Sequence, residues 1–310
     1  MIKYNTYCNN IIETLLRVRI GQLLTNEMYK KGAFKVPIHL ALGHEAIAAS
    51  VDAVMTPDDQ LVLSHRNIHY NLARTGSLRP LINEYLLTPQ GIASGELGSM
   101  NLTNPDKGIF YTSSILANNL SVATGLAMGQ AIKGEKGVVF VVTGDGAIEE
   151  GAFYESLIFE KSNNLPVIIL IENNQWSLAT RIEERRCPID ISKIAHSLGA
   201  GYELFHSNDV FDYFQCLQNI RNKAAYNQSP ICVEILLTTL GGRWVPATES
   251  SGERFINYHA GAIAHIGIEN GPVIEESVND PIKILEKYIG RERLENLYRE
   301  NIRLIQEEIE

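Results

Sequence analysis

An aspartate and an asparagine, each following an apolar run, are the residues of this 310-residue chain best suited to chemistry. Asp145 stands in a Gly-Asp-Gly turn directly after the run 137–143, and Asn174 follows the next such run, 168–171. Both runs predict buried strands, and a parallel α/β sheet binds its ligands outside the carboxyl ends of its strands. Magnesium prefers oxygen ligands in an octahedron and usually shares them with phosphates. The sequence therefore predicts a site for a divalent cation that carries a diphosphate.

The surroundings of Asp145 suit a phosphate as well as a metal. Gly144 and Gly146 carry no Cβ, so they allow a tight turn and a close approach of the ligand. A helix predicted to begin near Ile148 directs free backbone N–H groups at the anion. As an alternative, Asp145 caps this helix, a role that is compatible with metal binding.

The segment from Gly144 to Asn174 resembles the signature of enzymes that use thiamine diphosphate (ThDP). The surrounding chain is similar to the alpha subunit of the ThDP-dependent 2-oxo acid dehydrogenases of the pyruvate and branched-chain type. This resemblance implies ThDP and Mg²⁺ as cofactors, with Asp145, Asn174 and the backbone carbonyl of Trp176 as metal ligands. It also implies cofactor contacts along the turn, namely Gly144, Asp145, Gly146 and Ala147.

A second stretch that resembles the same family is Ser-His-Arg-Asn-Ile-His-Tyr, residues 64–70. It is similar to the family's Tyr-Arg-x-His-Gly segment, whose aromatic residue and arginine contact the pyrimidine and the diphosphate. The resemblance assigns these contacts to His65 and Arg66, and a planar guanidinium suits phosphate binding. Ile68 stands at the position of the family's histidine, with His69 as a substitute one residue later. From the residues alone, Arg66 also fits a surface ion pair.

Further motifs extend the resemblance around these two segments. His39 lies in His-Leu-Ala-Leu-Gly-His-Glu-Ala, similar to the family's His-Leu-x-x-Gly-Gln-Glu-Ala, which implies that it is the active-site histidine near the reacting carbons. Without the family, a lone histidine beside apolar residues is more simply structural. His44 replaces the glutamine of this motif, and Asn101 replaces a family histidine in Gly-Ser-Met-Asn. Ser114 and Leu116 occupy positions that contact the aminopyrimidine.

The loop after the last predicted strand departs from the family pattern. The dehydrogenase alpha subunits carry a His-Gly-His core there, which helps to bind the 2-oxo acid and to admit the lipoyl arm. This chain has neither histidine and contains Arg243 and Trp244 instead. Arg243 is expected to bind a carboxylate or phosphate of the substrate, because arginine binds such groups in a bidentate manner. An ordinary loop role for both residues is the equal alternative.

Alternating helices and strands position these residues. Apolar spacing predicts helices over 9–30, 116–133, 149–161, 191–199 and 208–227, and strands over 59–64, 137–143, 167–172 and 230–237. This alternation implies a parallel sheet flanked by helices on both faces. By resemblance, the α/β fold is that of a ThDP diphosphate-binding domain. We expect this domain over residues 1–275, with a charged helical tail, 276–310, packed on it.

Composition excludes several other classes of protein. With 45% hydrophobic and 20% charged residues, the chain reads as an ordinary soluble globular protein. Its net charge of -9 argues against a nucleic-acid surface, and no apolar run approaches the length needed to span a membrane. The four cysteines lack the spacing of a zinc site or disulfide framework, and the N-terminus lacks a signal-peptide core. We therefore expect a cytoplasmic protein that acts on a small molecule.

The resemblance also implies partner subunits. In the resembling enzymes the glutamate that activates ThDP comes from a pyrimidine-binding domain on a separate beta subunit, and these 310 residues hold no room for a second α/β domain. We expect an assembly of two alpha and two beta subunits with ThDP at their interfaces. A lipoyl acyltransferase is the further partner expected of a dehydrogenase.

Three functions stay open from the sequence. The first is decarboxylation of a 2-oxo acid with transfer of the acyl group to a lipoyl carrier. The second is a non-oxidative carboligase or transketolase-like reaction on a sugar or phosphorylated substrate, which the altered loop favours. The third is a non-catalytic relative kept for its assembly surface, against which the intact Asp145, Asn174 and Arg66 argue.

Overall fold

The computed structural model describes residues 6–241, 243–246, 254–257 and 259–309, with side chains over 9–241 and 259–309. Its helices are α1 (Thr6–Lys30), α2 (Glu45–Val54), α3 (Ile68–Thr75), α4 (Arg79–Tyr85), α5 (Asn118–Lys133), α6 (Gly151–Ser162), α7 (Ile182–Arg185), α8 (Ile191–Ser197), α9 (Val210–Asn227), α10 (Pro281–Ile289) and α11 (Arg291–Ile309). Its strands are β1 (Gln60–Ser64), β2 (Ile109–Ser113), β3 (Val139–Gly144), β4 (Val167–Asn173), β5 (Trp176–Ser177), β6 (Thr180–Arg181), β7 (Gly201–Phe205), β8 (Ile231–Leu236), β9 (Arg243–Pro246) and β10 (Arg254–Asn257).

A six-stranded sheet in the order β2-β1-β3-β4-β8-β7 forms the centre of the molecule. All five pairings in this sheet are parallel, so the predicted parallel sheet is confirmed. β3 and β4 lie side by side, and Gly144 at the end of β3 pairs with Glu172 near the end of β4. The residues that follow these two strands therefore emerge at the same edge of the sheet.

Helices cover both faces of the sheet, which explains why its central strands are apolar throughout. Side chains of successive strand residues point to opposite faces. Phe140 and Val142 belong to the larger core, which also holds residues of α1, α2, α9, α10 and α11. Val139 and Val141 belong to the second core, which holds residues of α5, α6 and α8. A strand buried on both faces has no polar alternation, as the sequence showed.

The segment after β3 differs from the sequence prediction. A single 3₁₀ turn, Ala147–Glu149, follows the Gly-Asp-Gly turn, and α6 begins only at Gly151. Glu150 is extended (ψ 144°), which separates the turn from the helix. Asp145 caps neither element, because the residues at the N-cap positions are Gly146 and Glu150. The alternative role of Asp145 as a helix cap is therefore wrong.

A buried arginine connects α1 to the C-terminal helices. The Arg19 guanidinium is fully buried and forms ion pairs with Glu45 (Nε to Oε1, 2.6 Å) and Asp280 (NH2 to Oδ1, 2.9 Å). Asp280 also accepts a hydrogen bond from the backbone N–H of Ile282 at the start of α10. Leu294 and other α11 residues share the larger core with α1. These contacts are those expected of a packed tail, and the boundary near residue 275 stays a prediction.

In the part of the chain that the structure describes, no helix combines the length and the apolar character needed to cross a bilayer.

Candidate functional site

A cavity of about 290 Å³ opens where β1, β3 and β4 end. Its wall contains every described residue to which the sequence assigned a cofactor, metal or catalytic role. These are His39, His65, Arg66, Ser114, Leu116, Gly144, Asp145, Gly146, Ala147, Asn174 and Trp176. Residues far apart in the chain thus meet in one place, and their individual roles remain predictions. The side chain of Arg243 lies outside the described residues.

The two predicted metal-binding side chains lie at the ends of neighbouring strands. Asp145 is 2% exposed, and burial raises the pKa of its carboxyl to about 6. The Arg185 guanidinium, with NH2 2.9 Å from Asp145 Oδ2, opposes this rise. Asn174 Oδ1 accepts a hydrogen bond from the Trp176 N–H (3.0 Å), while Asn174 Nδ2 donates to Thr239 Oγ1 (2.9 Å). The metal-binding roles of Asp145 and Asn174 stay predictions.

Close approach explains one glycine of the turn, and an unusual backbone explains neither. Neither Gly144 nor Gly146 lies in the left-handed region. A Cβ on Gly146 would lie 2.8 Å from Ser177 Oγ, closer than real Cβ atoms come. A Cβ on Gly144 would meet nothing nearer than the Glu172 carbonyl oxygen at 4.0 Å. Gly146 therefore lets β5 close over the Gly-Asp-Gly turn.

Three imidazoles form another part of the cavity wall. The rings of His65 and His259 lie 4.7 Å and 4.6 Å from that of His39, and His39 Nε2 lies 3.3 Å from His259 Nε2. Burial lowers the pKa of all three, with Arg66 adding to the effect, and that of His65 falls to about 4. Arg66 donates to the backbone carbonyls of Leu40 and His259. At neutral pH this wall therefore carries neutral imidazoles beside one fixed cation.

A buried carboxylate, Glu172, lies at the back of the cavity. It accepts hydrogen bonds from His44 Nδ1 (2.8 Å), His69 Nε2 (3.0 Å) and the Tyr70 hydroxyl (2.8 Å). Burial alone raises the pKa of Glu172, but the two imidazoles outweigh it and hold that pKa below its usual range. His69 contacts Glu172 and is not among the described residues that line the cavity, and its role as a substitute for the family's histidine stays a prediction.

The residues present suit a metal-bound diphosphate. Asp145 and Asn174 offer the hard oxygen ligands that magnesium prefers. Two buried polar atoms in the cavity wall, His39 Nδ1 and Thr143 Oγ1, have no hydrogen-bond partner among the described residues. Buried polar groups are normally hydrogen-bonded, so such atoms indicate that a polar ligand belongs in the cavity. The donors and the unpaired atoms together are compatible with ThDP and Mg²⁺.

Several residues of the site escaped the sequence analysis. His259 and Arg185 belong to no motif, and nothing in their local sequence points to the cavity. Glu172 could have been found, because a carboxylate at the end of an otherwise apolar buried strand requires partners. Thr239 could not, since a threonine in a loop is unremarkable until its neighbours are known.

Two of the relatives in sequence are alpha subunits by name. The pyruvate dehydrogenase E1 component subunit alpha of Rickettsia bellii is 28% identical over 226 residues, covering 71% of this chain and 68% of that protein. The alpha subunit of the acetoin:2,6-dichlorophenolindophenol oxidoreductase of Bacillus subtilis is 26% identical over 224 residues, covering 72% of this chain and 67% of that protein.

Relatives in structure are transketolases. The enzyme from Leishmania mexicana matches 97% of this chain with a TM-score of 0.57 at 15% identity, and one from Pichia stipitis matches 98% with a TM-score of 0.60 at 16% identity. This chain spans only 45% and 46% of those two proteins, so the likeness concerns the fold alone. It confirms the predicted ThDP-binding type of fold.

The match to a protein family covers most of the chain. The family described as "Dehydrogenase E1 component" matches residues 14–242. This range includes every motif before the end of β8 on which the resemblance was based. The predicted resemblance to the alpha subunit of ThDP-dependent 2-oxo acid dehydrogenases is thereby confirmed. This chain belongs to the dehydrogenase E1 component family.

Proposed function

We propose that this chain is the diphosphate- and Mg²⁺-binding subunit of a ThDP-dependent enzyme that decarboxylates a 2-oxo acid and transfers the acyl group. One observation carries this proposal. In a chain of the E1 family, Asp145 and Asn174 follow paired neighbouring strands and line the same cavity as His39 and Arg66. Sequence and geometry therefore lead to the same site.

The chain's own residues bind and orient the cofactor. Asp145, Asn174 and the Trp176 carbonyl would hold Mg²⁺, because they offer the oxygen ligands that this ion prefers. Backbone N–H groups of Gly146 and Ala147 donate to the diphosphate, and the fixed charge of Arg66 favours anions in the cavity. When bound, ThDP supplies a carbanion that adds to the substrate carbonyl and stabilises the resulting negative charge.

The imidazoles in the cavity wall are the groups that we propose for proton transfer. His39 is 4% exposed, and burial holds the pKa of its imidazole far below the usual value, so it is neutral at pH 7. Its Nδ1 has no hydrogen-bond partner among the described residues. We assign to this atom the exchange of a proton with the substrate, and to His65 a contact with the cofactor.

The cavity mouth supports a partner subunit. Ile115, Leu116 and Leu178 are 69%, 48% and 61% exposed, and Leu116 also lines the cavity. On α5, Ile132 is 80% exposed, and Gly125 has open space where a Cβ would be. Exposed apolar residues around a site mark an interaction surface. We propose that a beta subunit with the pyrimidine-binding domain covers this face, in an assembly of two alpha and two beta subunits.

Acceptor, substrate and location complete the proposal. A lipoyl acyltransferase is the acceptor proposed for the decarboxylating reaction. Because the chain lacks the His-Gly-His core, a non-oxidative carboligase acting on a sugar or phosphorylated substrate is the second candidate. Arg243 would bind the negative charge of such a substrate. The cytoplasmic location is likewise a proposal.

The metal ligand Asp145 provides the test of the proposed function. We expect calorimetric titration of the assembled wild-type enzyme with ThDP to show binding that requires Mg²⁺. Asp145→Ala should abolish it, because the only charged ligand among the proposed metal ligands is lost. Asp106→Ala, an exposed aspartate in the 3₁₀ turn Pro105–Lys107, is the matched control and should bind normally. An unchanged ThDP affinity in Asp145→Ala would show that the site is misassigned.

The two candidate reactions differ in their products. Release of carbon dioxide from a 2-oxo acid by the assembled enzyme, with an artificial electron acceptor in place of lipoamide, supports the dehydrogenase. Formation of a carbon–carbon bond from a ketose without an electron acceptor supports the carboligase.

A further inference from the structure

A chain of buried hydrogen bonds leads from Asn174 into the core. Asn174 Nδ2 lies 2.9 Å from Thr239 Oγ1, and Thr239 Oγ1 lies 2.9 Å from His44 Nε2. The other ring nitrogen of His44, Nδ1, lies 2.8 Å from Glu172 Oε2. Thr239, His44 and Glu172 are 7%, 1% and 6% exposed, so water does not compete for these bonds.

Glu172 determines which group donates and which accepts in this series of hydrogen bonds. Its Oε1 accepts from the Tyr70 hydroxyl and lies 3.0 Å from His69 Nε2, and we assign Glu172 as the ionised acceptor of all three hydrogen bonds. His44 Nδ1 must therefore carry the proton that it donates to Glu172. In the neutral ring, Nε2 is then an acceptor, and it takes the one proton of the Thr239 hydroxyl.

The same reasoning decides which way the Asn174 amide points. With its proton given to His44, the Thr239 oxygen can only accept. The amide nitrogen Nδ2 satisfies it, whereas the amide oxygen would face an oxygen with no proton to donate. Asn174 Oδ1 is therefore held on the opposite side, where it takes the Trp176 N–H and keeps a second lone pair.

The backbone fixes Thr239 in this position. The Leu237 N–H donates to the Asn173 carbonyl (3.2 Å), and the Leu240 N–H donates to the Leu42 carbonyl (2.8 Å). The residues between Leu237 and Leu240 pack tightly against Gly43. The φ of Gly43 is +94°, and a Cβ there would lie 2.2 Å from the Thr238 carbonyl oxygen. The threonine hydroxyl is thus anchored both to the end of β4 and to the turn before α2.

We propose that Thr239 and His44 are positioning residues that orient the Asn174 side chain, so that its oxygen and not its nitrogen faces the metal. The inference rests on the proposed function, because it concerns the ligand set of the same site. Hydrogen bonds behind a metal ligand commonly set its affinity, and losing one costs about 10- to 100-fold in metal binding. In this chain the imidazole of His44 links Thr239 to Glu172.

The matched variants follow from the hydrogen-bond directions. Thr239→Val keeps the shape and removes the hydroxyl, whereas Thr239→Ser keeps the hydroxyl. His44→Leu breaks the link to Glu172. His44→Gln preserves it, because a glutamine amide can accept from Thr239 through its oxygen and donate to Glu172 through its nitrogen.

The experiment measures the Mg²⁺ concentration that gives half-maximal ThDP binding, by calorimetry, beside the unfolding temperature of each apo variant. We expect Thr239→Val and His44→Leu to need about 10- to 100-fold more Mg²⁺ than the wild type. Thr239→Ser and His44→Gln should stay close to the wild type.

A purely structural role would give a different pattern. If Thr239→Val and His44→Leu lower the unfolding temperature but leave the Mg²⁺ requirement unchanged, the inference is overturned and the proposed function stands. If the wild type shows no Mg²⁺-dependent ThDP binding, the proposed function itself fails, and this inference with it. Should one of these two variants not fold, the other decides.

Discussion

Glu160 on α6 is a buried acid without a counter-charge among the described residues, and its removal should stabilise the protein. The residue is fully buried, its Oε1 accepts a hydrogen bond from the Thr124 hydroxyl (2.7 Å), and its Oε2 has no partner among the described residues. Burial raises the pKa of this carboxyl from 4.5 to about 8. The folded protein therefore keeps a proton on Glu160 at neutral pH that the unfolded chain has lost.

The size and the sign of the effect follow from this difference in pKa. Below pH 4.5 the group is protonated in both states, and its pKa shift contributes nothing. As the pH rises towards 8, the unfolded state is favoured by about 1.4 kcal/mol for each pH unit, to a limit of about 5 kcal/mol. Glu160→Gln keeps the shape and the hydrogen bond to Thr124 but cannot ionise. It should be more stable than the wild type by about 3 kcal/mol at pH 7.

Urea unfolding at pH 5, 7 and 8.5 provides the measurement. We expect the advantage of Glu160→Gln to be below about 1 kcal/mol at pH 5 and to grow at each step. Glu155→Gln, an exposed position on the same helix, is the control and should show no such trend. A difference between Glu160→Gln and the wild type that does not change with pH would refute the reasoning.

Three further outcomes are expected. Gly146→Ala should weaken ThDP binding about tenfold or more, since its Cβ would meet Ser177 Oγ at 2.8 Å. Gly144→Ala should bind ThDP normally. Equal affinities of the two variants in calorimetry would contradict the close-approach argument. Arg185→Gln should reduce the Mg²⁺ concentration needed for ThDP binding about tenfold. The reason is that the metal no longer competes with the charge-assisted bond from Arg185 to Asp145, which is worth about 1.5–3 kcal/mol. An unchanged Mg²⁺ requirement would show that the guanidinium does not compete. Arg243→Ala should raise the Michaelis constant for a substrate with an extra negative charge about 10- to 100-fold and spare pyruvate, and equal losses for both would remove Arg243 from substrate binding.

The sequence was informative where chemistry and strand pattern coincide. Asp145 and Asn174 could be placed together because each follows an apolar run, and parallel strands end at one edge of their sheet. His65 and Arg66 directly follow the strand predicted over 59–64, but their roles needed the family resemblance, and so did the place of His39. All five line the same cavity.

The features of the site that the sequence did not predict depend on contacts between residues far apart in the chain, which local sequence patterns do not indicate. His259 meets His39 across 220 residues, and Arg185, at the end of α7, meets Asp145 across 40 residues. The start of α6 was predicted too early, because helical spacing does not show that Glu150 is extended. The explanation for Gly146 also changed, since its need for glycine comes from Ser177 and not from its own backbone angles.

The pairing of Arg19 with Asp280 constrains how the protein is made. A ribosome releases α1 long before α10, so a nascent chain holds the guanidinium with Glu45 but without Asp280, which carries two of its hydrogen bonds. Burying a charge that lacks part of its partners costs several kcal/mol. We therefore expect α1 to pack only weakly on the rest of the domain during translation, and to reach its final packing when α10 and α11 have emerged. Nascent chains stopped before Asp280 would then expose α1 to proteases and chaperones.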